Sequence, residues 1–450
     1  MKKLIAVFIF TFILSCSATN EPLASSKKVN DLTELQKNQT LVNSGNVSDL
    51  NNYPSKPYTK EGAGYQGTDF KNLPKERVIT FTHRNQQNVT KELNNIITDL
   101  HNIGGGIIYI TKGNYTIKEV TLKSNIHIII NSNVTFQMDH SKRGKNFLFN
   151  VGMKENQPLV ENVKIIGLGD VTSRPKLILD KPKNTFYRAI ALGYAKNVLI
   201  ENLTIQDNLT KGAAIALNPV KIDDNNANIP ENITITNVEL TGGSIGYGLA
   251  QTNVGKNILL KNLSCQGGMT CRIEAHTGRQ YNLGVDNIVI SNVASINGKA
   301  AVLLQPHSVL NGRILVDGAK SEGSTWTLFL KEGFVGKDSK RRAKGVFAPT
   351  SSFKNISLHA TDHTATLSYK NFKLVPEDLH AFYKTPDFTP ITEDANYAVT
   401  NGVYANESAV KGASVAAIYT DATYPLQLPK ENEILITGKT KHRLKIIDNK

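Results

Sequence analysis

The sequence predicts an all-β solenoid, a single-stranded parallel β-helix with a capping helix near its N-terminus. Three observations carry this. First, one motif recurs: "NVKIIGL" begins at Asn162, "NVLIENLTI" at Asn197, "NITITNVEL" at Asn232, "NILLKNLSC" at Asn257 and "NIVISNVAS" at Asn287, with weaker copies at Arg313 and Asn355. Recurrence every roughly 20–50 residues marks stacked supersecondary units. Second, the copies are joined without helical patterns, so each unit is made of strands and turns. Third, an asparagine heads most copies; at equivalent turn positions asparagine amides stack coil upon coil and tolerate left-handed backbone. A β-sandwich also has short strands between turns, but its strands need not repeat an internal order.

The elements follow in chain order. Lys2 and Lys3 precede the apolar run "LIAVFIFTFIL" and then "SCSATNEP". The run is short for a bilayer span and fits a secretory signal. "ILSC" matches a bacterial lipobox with Cys16 as the lipidated first residue; an ordinary cleaved signal is the alternative, and both imply export. The expected division is a lipoprotein-type signal over 1–16, a flexible tether rich in Asn, Ser, Lys, Gly and Pro over 17–70, the β-helix over 71–375, and strands and loops over 376–450 that pack on or close the solenoid. "RVITFT" reads as a strand. In "NVTKELNNIITDLHN", Val89, Leu93, Ile96, Ile97 and Leu100 fall at helical spacing, an amphipathic segment suited to covering the open sheet edges of a first coil.

The chain has 450 residues, and Lys plus Arg outnumber Asp plus Glu by 52 to 38, a net charge of +14. That surplus favours polyanionic partners. No nucleic-acid-binding motif is present, which leaves an acidic polysaccharide or, through a lipid anchor, a membrane surface. Past the signal only Cys265 and Cys271 remain, a disulfide or two buried thiols in an exported protein.

"MTCRIEAHT", Met269 to Thr277, alternates apolar residues with Arg272, Glu274 and His276. On a strand this turns Cys271, Ile273 and Ala275 inward and the other three outward. Outward groups two residues apart stand about 6.5–7 Å from each other, the lower end of the spacing that leaves room for water in an inverting glycosidase. Glu274 would donate a proton and its partner would activate the water. Neighbouring coils add "GYGLAQTN" with Tyr247 and Gln251, "AAVLLQPHS" with Gln305 and His307, and "WTLFLKEGF" with Trp326, Lys331 and Glu332.

On "YGLAQ", "RIEAH" and the downstream His and Glu, the chain resembles glycoside hydrolase family 82, the iota-carrageenases, over about residues 76–375. These are right-handed parallel β-helices that cut a doubly sulfated red-algal galactan. The resemblance implies inverting endo-hydrolysis of β-1,4 links, with Glu274 as general acid, Arg272 holding substrate and Gln251 positioning an ion or water. His307 and Glu332 match a further His and Glu of that site. The resemblance also implies a sulfated polysaccharide partner, no required cofactor, a structural calcium or sodium ion between coils, and an exported bacterial protein, secreted or held at the cell surface. One departure stands out: the family places an Asp two residues after the acid as base, and this chain has His276. A neutral imidazole can take a proton from water; Glu332 is the alternative base. Sulfate esters call for fixed cations, and Arg272, Arg279, Lys331 and the run "KDSKRRAK" (337–344) qualify, the run as either a flap or a solvated loop. Tyr247, Tyr281 and Trp326 are the candidates for sugar stacking. A β-helix polysaccharide lyase and a surface lipoprotein that binds sulfated glycan without cutting it are the competing functions.

Overall fold

The repeated asparagines sit where the chain bends. Asn162, Asn197, Asn202, Asn232, Asn237, Asn257, Asn262, Asn287, Asn292 and Asn355 hold φ between 51° and 57°, a left-handed conformation that costs most residues about 1–2 kcal/mol. Their amides form two ladders. In one, Asn232 donates to Asn197 (3.1 Å), Asn257 to Asn232 (3.0 Å) and Asn287 to Asn257 (2.9 Å). In the other, Asn262 donates to Asn237 (2.9 Å) and Asn292 to Asn262 (2.8 Å). The step between rungs is the step between motif copies, so each copy is one coil.

The computed structural model describes residues 58–70, 72–82, 88–141, 146–179, 186–383, 409–438 and 444–450. The expected signal and Cys16 lie outside the described residues. Coils stack into two long parallel sheets. One contains Ala195–Gln206, Glu231–Thr241, Gly255–Gln266, Val285–Ile296 and Ile314–Glu322 in that order; the other contains Tyr187–Leu192, Ala213–Leu217, Gly248–Thr252, Met269–Glu274, Ala300–Gln305 and Trp326–Leu330. The architecture is a right-handed parallel β-helix. Register places like upon like: Ile200, Ile235, Leu260, Ile290 and Val316 form one inward stack, and Ile190, Ile215, Ala250, Cys271, Val302 and Leu328 form another. Both belong to one continuous core. Cys265 and Cys271 are buried there as free thiols, which resolves the alternative left open by the sequence.

The helix forms over Thr90–Asn102, with the Asn88 side chain accepting from Thr90 N–H at 3.0 Å and Gly104 and Gly105 (φ 94° and 97°) ending it. Leu93, Ile97 and Leu100 enter the same core.

Two expected boundaries move. Residues 58–70, assigned to the tether, are bound along the outside of the first sheet. Asn287 donates to Glu61 O, Gly64 N–H to Asn257 O, Tyr65 N–H to Thr234 Oγ1 and Gln66 N–H to Asn197 Oδ1, and Asp69 pairs with buried Lys164. Nor does the solenoid stop at 375. Ala416–Thr420 pairs with Trp326–Leu330, Leu435–Gly438 with Ser352–Ala360, and Leu444–Asp448 with Ala416–Thr420, each in parallel. Between these coils, the short 3-10 turns Tyr369–Leu374 and Glu377–Phe382 and the antiparallel pair Ala365–Ser368 and Ala409–Gly412 supply Leu367, Phe372, Leu379, Tyr383 and Val410 to a second core. That core covers Met269, Leu303, Trp326, Phe329 and Tyr419 on the outside of the second sheet.

Asn257 carries one rung, links to the next and holds a left-handed φ. Replacing it with Ala is expected to cost about 2–5 kcal/mol, the sum of backbone strain and two hydrogen bonds. Asn257→Gly should recover the backbone part. Urea midpoints of the two variants check this; equal losses would show that the strain is not real.

Candidate active site

Within Met269–Glu274, Cys271 and Ile273 point into the core, so Arg272 and Glu274 emerge on the outer face of the second sheet. Register sets Gln251 beside Arg272 and Gln305 beside Glu274. The strand ends at Glu274. His276 N–H turns back to Glu274 O (2.7 Å), and Arg279 N–H reaches Ala275 O (3.0 Å), opening the 3-10 turn Gly278–Gln280. The expected row of three therefore has two members on the strand. His276 leaves on the turn, exposed, because these local hydrogen bonds replace sheet pairing. A further asparagine pair secures that turn: Asn253 donates to Asn218 (3.0 Å) and accepts from Thr277 N–H (3.3 Å).

Glu274 is 4% exposed. One carboxylate oxygen pairs with Arg272 Nε, and the other lies 3.0 Å from His307 Nε2. Arg272 also donates to Gly246 O and lies over the Tyr247 ring, 5.3 Å from its centroid. Burial alone would push the Glu274 carboxyl upward, but Arg272 and His307 more than reverse this and hold it well below the usual carboxylate range. His307 occupies the next coil's turn in a left-handed conformation, φ 52°. Its ring has His276 edge-on at 5.4 Å and Phe334 at 4.5 Å. The His276 imidazole is shifted below 6.5, first by burial and then by Arg279, with Glu274 opposing and His307 and Arg272 adding.

Several predicted members are placed elsewhere or otherwise engaged. Trp326 is fully buried in the second core, stacked on Phe329 at 4.4 Å, and offers no face to a sugar. It stands outside the solenoid, where the 365–383 segment covers it. Arg279 is 9% exposed and held by Asp338, with Nε at 2.8 Å and Nη2 at 2.7 Å from Oδ1, so its fork is already filled. Lys331 pairs with Asp421, and Glu332 with Lys344 at 2.7 Å. Glu332 thus turns toward the basic loop. Tyr281 is half-buried on the turn after Arg279, beside Lys221. The basic run is docked on the body: Asp338 on Arg279 and Gln280, Lys340 Nζ on Asn225 O (3.1 Å), and Arg341 on Ser308 O (3.3 Å).

Three residues at the site were missed by sequence reasoning. Phe334, 41% exposed, packs its ring on His307; an aromatic between Gly333 and Gly336 just past a coil was its only signal. Asp338 is hidden inside a run of cations. Lys299 is buried, donates to Asn371 Oδ1 at 2.8 Å and has its pKa pushed far down by burial, with Lys370 and Arg272 adding. Among the described residues no group of three or more His, Cys, Asp or Glu is placed to hold a metal; a calcium or sodium ion between coils, as the resemblance implies, would draw instead on backbone and amide oxygens.

No family model matches the chain. Its sequence is 29% identical over 330 residues to an iota-carrageenase of Zobellia galactanivorans, covering 72% of this chain and 64% of that protein. It is 32% identical over 241 residues to an iota-carrageenase of Alteromonas macleodii, covering 51% and 46%. The crystal structure of a family 82 iota-carrageenase from A. fortis superposes with a TM-score of 0.71 at 20% identity, over 88% of this chain and 94% of that one. The chain is similar in sequence to iota-carrageenases and shares their fold. It spans somewhat under two thirds of the first curated relative and about half of the second.

Burial separates the two aromatics. Trp326→Ala is expected to cost about 3–5 kcal/mol, as for a large core aromatic. Phe334→Ala should cost under about 1 kcal/mol, near the range for surface positions. Urea unfolding of both variants checks this; a smaller loss for Trp326→Ala would contradict its burial.

Proposed function

We propose that the chain hydrolyses β-1,4 links within iota-carrageenan, with inversion, using Glu274 as general acid and His276 as general base. The supporting observation is one arrangement: a buried carboxylate clasped by Arg272 and His307 on the outer sheet face, with an exposed imidazole on the adjoining turn. The kinship with iota-carrageenases adds the substrate class.

In the free protein Glu274 is a carboxylate and has no proton to give. A sulfate ester entering the site would compete for the Arg272 guanidinium, which suits such oxyanions. Drawn toward sulfate, Arg272 no longer stabilises the carboxylate, and burial then favours the protonated form. Glu274 would next protonate the glycosidic oxygen as that bond breaks. A water on the opposite face attacks the anomeric carbon and gives its proton to His276. Burial first, and then Arg279, lower the proton affinity of His276, so it is a free base near neutral pH. Phe334, not Trp326, is the exposed aromatic beside the clasp, positioned to face a sugar ring.

The ionised state of Glu274 is also what favours the binding-only alternative, and products decide between them. Incubation with iota-, kappa- and lambda-carrageenan is expected to release new reducing ends from the iota form. Unsaturated, ultraviolet-absorbing ends would indicate a lyase; retention of polymer without release would indicate a binder. Glu274→Gln should lower kcat by roughly 10²–10⁴-fold, the usual contribution of a general acid. The acid limb of kcat/KM should fall with a midpoint below 6.5, as His276 takes up a proton. His276→Asp should keep activity and move that limb toward about 4, the ordinary Asp range; an unmoved limb would remove His276 from the base role.

Export, with anchoring through a lipidated Cys16, completes the proposal. In a bacterial host, Cys16→Ser should shift the protein from the membrane fraction; a distribution unchanged by the substitution would argue against lipidation.

A further inference from the structure

We infer that Arg279, anchored by Asp338, is a positioning residue that decides which nitrogen of His307 carries the proton, and so presents an N–H donor to Glu274. For its effect on rate this rests on the proposed hydrolase function; for the tautomer it rests on hydrogen bonding alone.

Arg279 Nη1 lies 3.3 Å from His307 Nδ1. A guanidinium only donates, so Nδ1 must accept and carries no hydrogen. The neutral ring then has its proton on Nε2, 3.0 Å from Glu274 Oε1. The reversed tautomer would set N–H against N–H at one end of the ring and a lone pair against a carboxylate at the other. His307 is 1% exposed, and its left-handed backbone aims the ring into this gap. Solvent therefore gives little relief to a mismatched ring.

The guanidinium is itself fixed from outside. Asp338 Oδ1 takes both Nε and Nη2 of Arg279, while Asp338 Oδ2 accepts from Gln280 Nε2 at 2.8 Å. Gln280 first, and then Arg279 against some burial, draw the Asp338 carboxyl down to about 2, so it stays ionised at working pH. Lys340 N–H closes the dock on Arg279 O at 3.0 Å. The charged or titratable groups around His307 are Glu274 and Arg272 from the strand and His276 and Arg279 from the turn, with Asp338 behind Arg279 on the loop. The loop read from sequence as a basic flap thus reaches the acid through a chain of four side chains: Asp338, Arg279, His307 and Glu274.

Imidazole ¹⁵N NMR of the full chain, with His307 assigned by loss of its signal in His307→Asn, reads the tautomer without any substrate. The wild type should show bare Nδ1 and protonated Nε2. Arg279→Lys, which also only donates, should keep that pattern. Arg279→Gln, whose carbonyl accepts, should admit Nδ1–H and lower kcat on iota-carrageenan by roughly 10–100-fold, the size seen when a supporting partner is lost. KM should change less than about twofold, and Lys should restore most of kcat. Asp338→Asn, on the exposed loop, should show a mixture of tautomers. Protonated Nδ1 in the wild type overturns the inference, as does an Arg279→Gln variant with wild-type tautomer and kcat. Should Arg279→Gln fail to fold, a wild-type pattern and kcat in Asp338→Asn would equally overturn the anchoring role. If the wild type cuts no carrageenan, the proposed function fails while the tautomer is still decided.

Discussion

In-register parallel pairing between coils is the constraint on which everything else depends. Because side chains alternate across a strand, one aliphatic stack fixes both faces at once. With Ile215, Ala250, Cys271 and Val302 stacked inward, Arg272 must emerge next to Gln251. A slip of a single residue would bury Arg272 and expose Cys271. The asparagine ladders guard against that slip from the turns, since each amide finds its partner only when the rungs coincide. The strap over 58–70 adds a lateral tie across several coils on the opposite face.

The site built on this frame balances burial against charge. Removing Glu274 from water favours its neutral form, and pairing it with Arg272 and His307 favours its ionised form; pairing prevails while the protein is free. Of the two partners, Arg272 exerts the larger pull and is the one a sulfate can draw away, which makes it the natural point of control. Positive charge is otherwise satisfied close to home: Arg279 by Asp338, Lys331 by Asp421, and Lys344 by Glu332. These pairs already cancel within the net +14 and add no free charge at the site, so Arg272 matters more there than the total suggests.

The repeat, the capping helix and the outward placement of Arg272 and Glu274 were legible because each follows from a period: 25 to 42 residues between motif copies, 3.6 along the helix and 2 along the strand. What escaped depends on contacts distant in sequence or on local turns without a strong marker. No glycine or proline announces the turn at Ala275 and His276, so the alternation seemed to continue. Trp326 stands outside the solenoid as expected, yet a segment some 40 residues later covers it. Residues 58–70 resemble a tether because they attach through backbone groups, ladder asparagines and only a few apolar side chains, Ala63, Tyr65 and Phe70, which leaves no hydrophobic periodicity. Asp338 lies within a run dominated by cations, which masks its part in docking that run.

The central claim is that sulfate binding at Arg272 converts Glu274 from carboxylate to acid. Its most direct test is the Glu274 carboxyl signal, followed by ¹³C NMR through a pH titration in the His276→Ala background, with and without a sulfated iota-carrageenan oligosaccharide. The account predicts an ionised carboxyl across the accessible range when free, and uptake of a proton at distinctly higher pH when the oligosaccharide is bound. A carboxyl that binds the sugar yet titrates unchanged would contradict it.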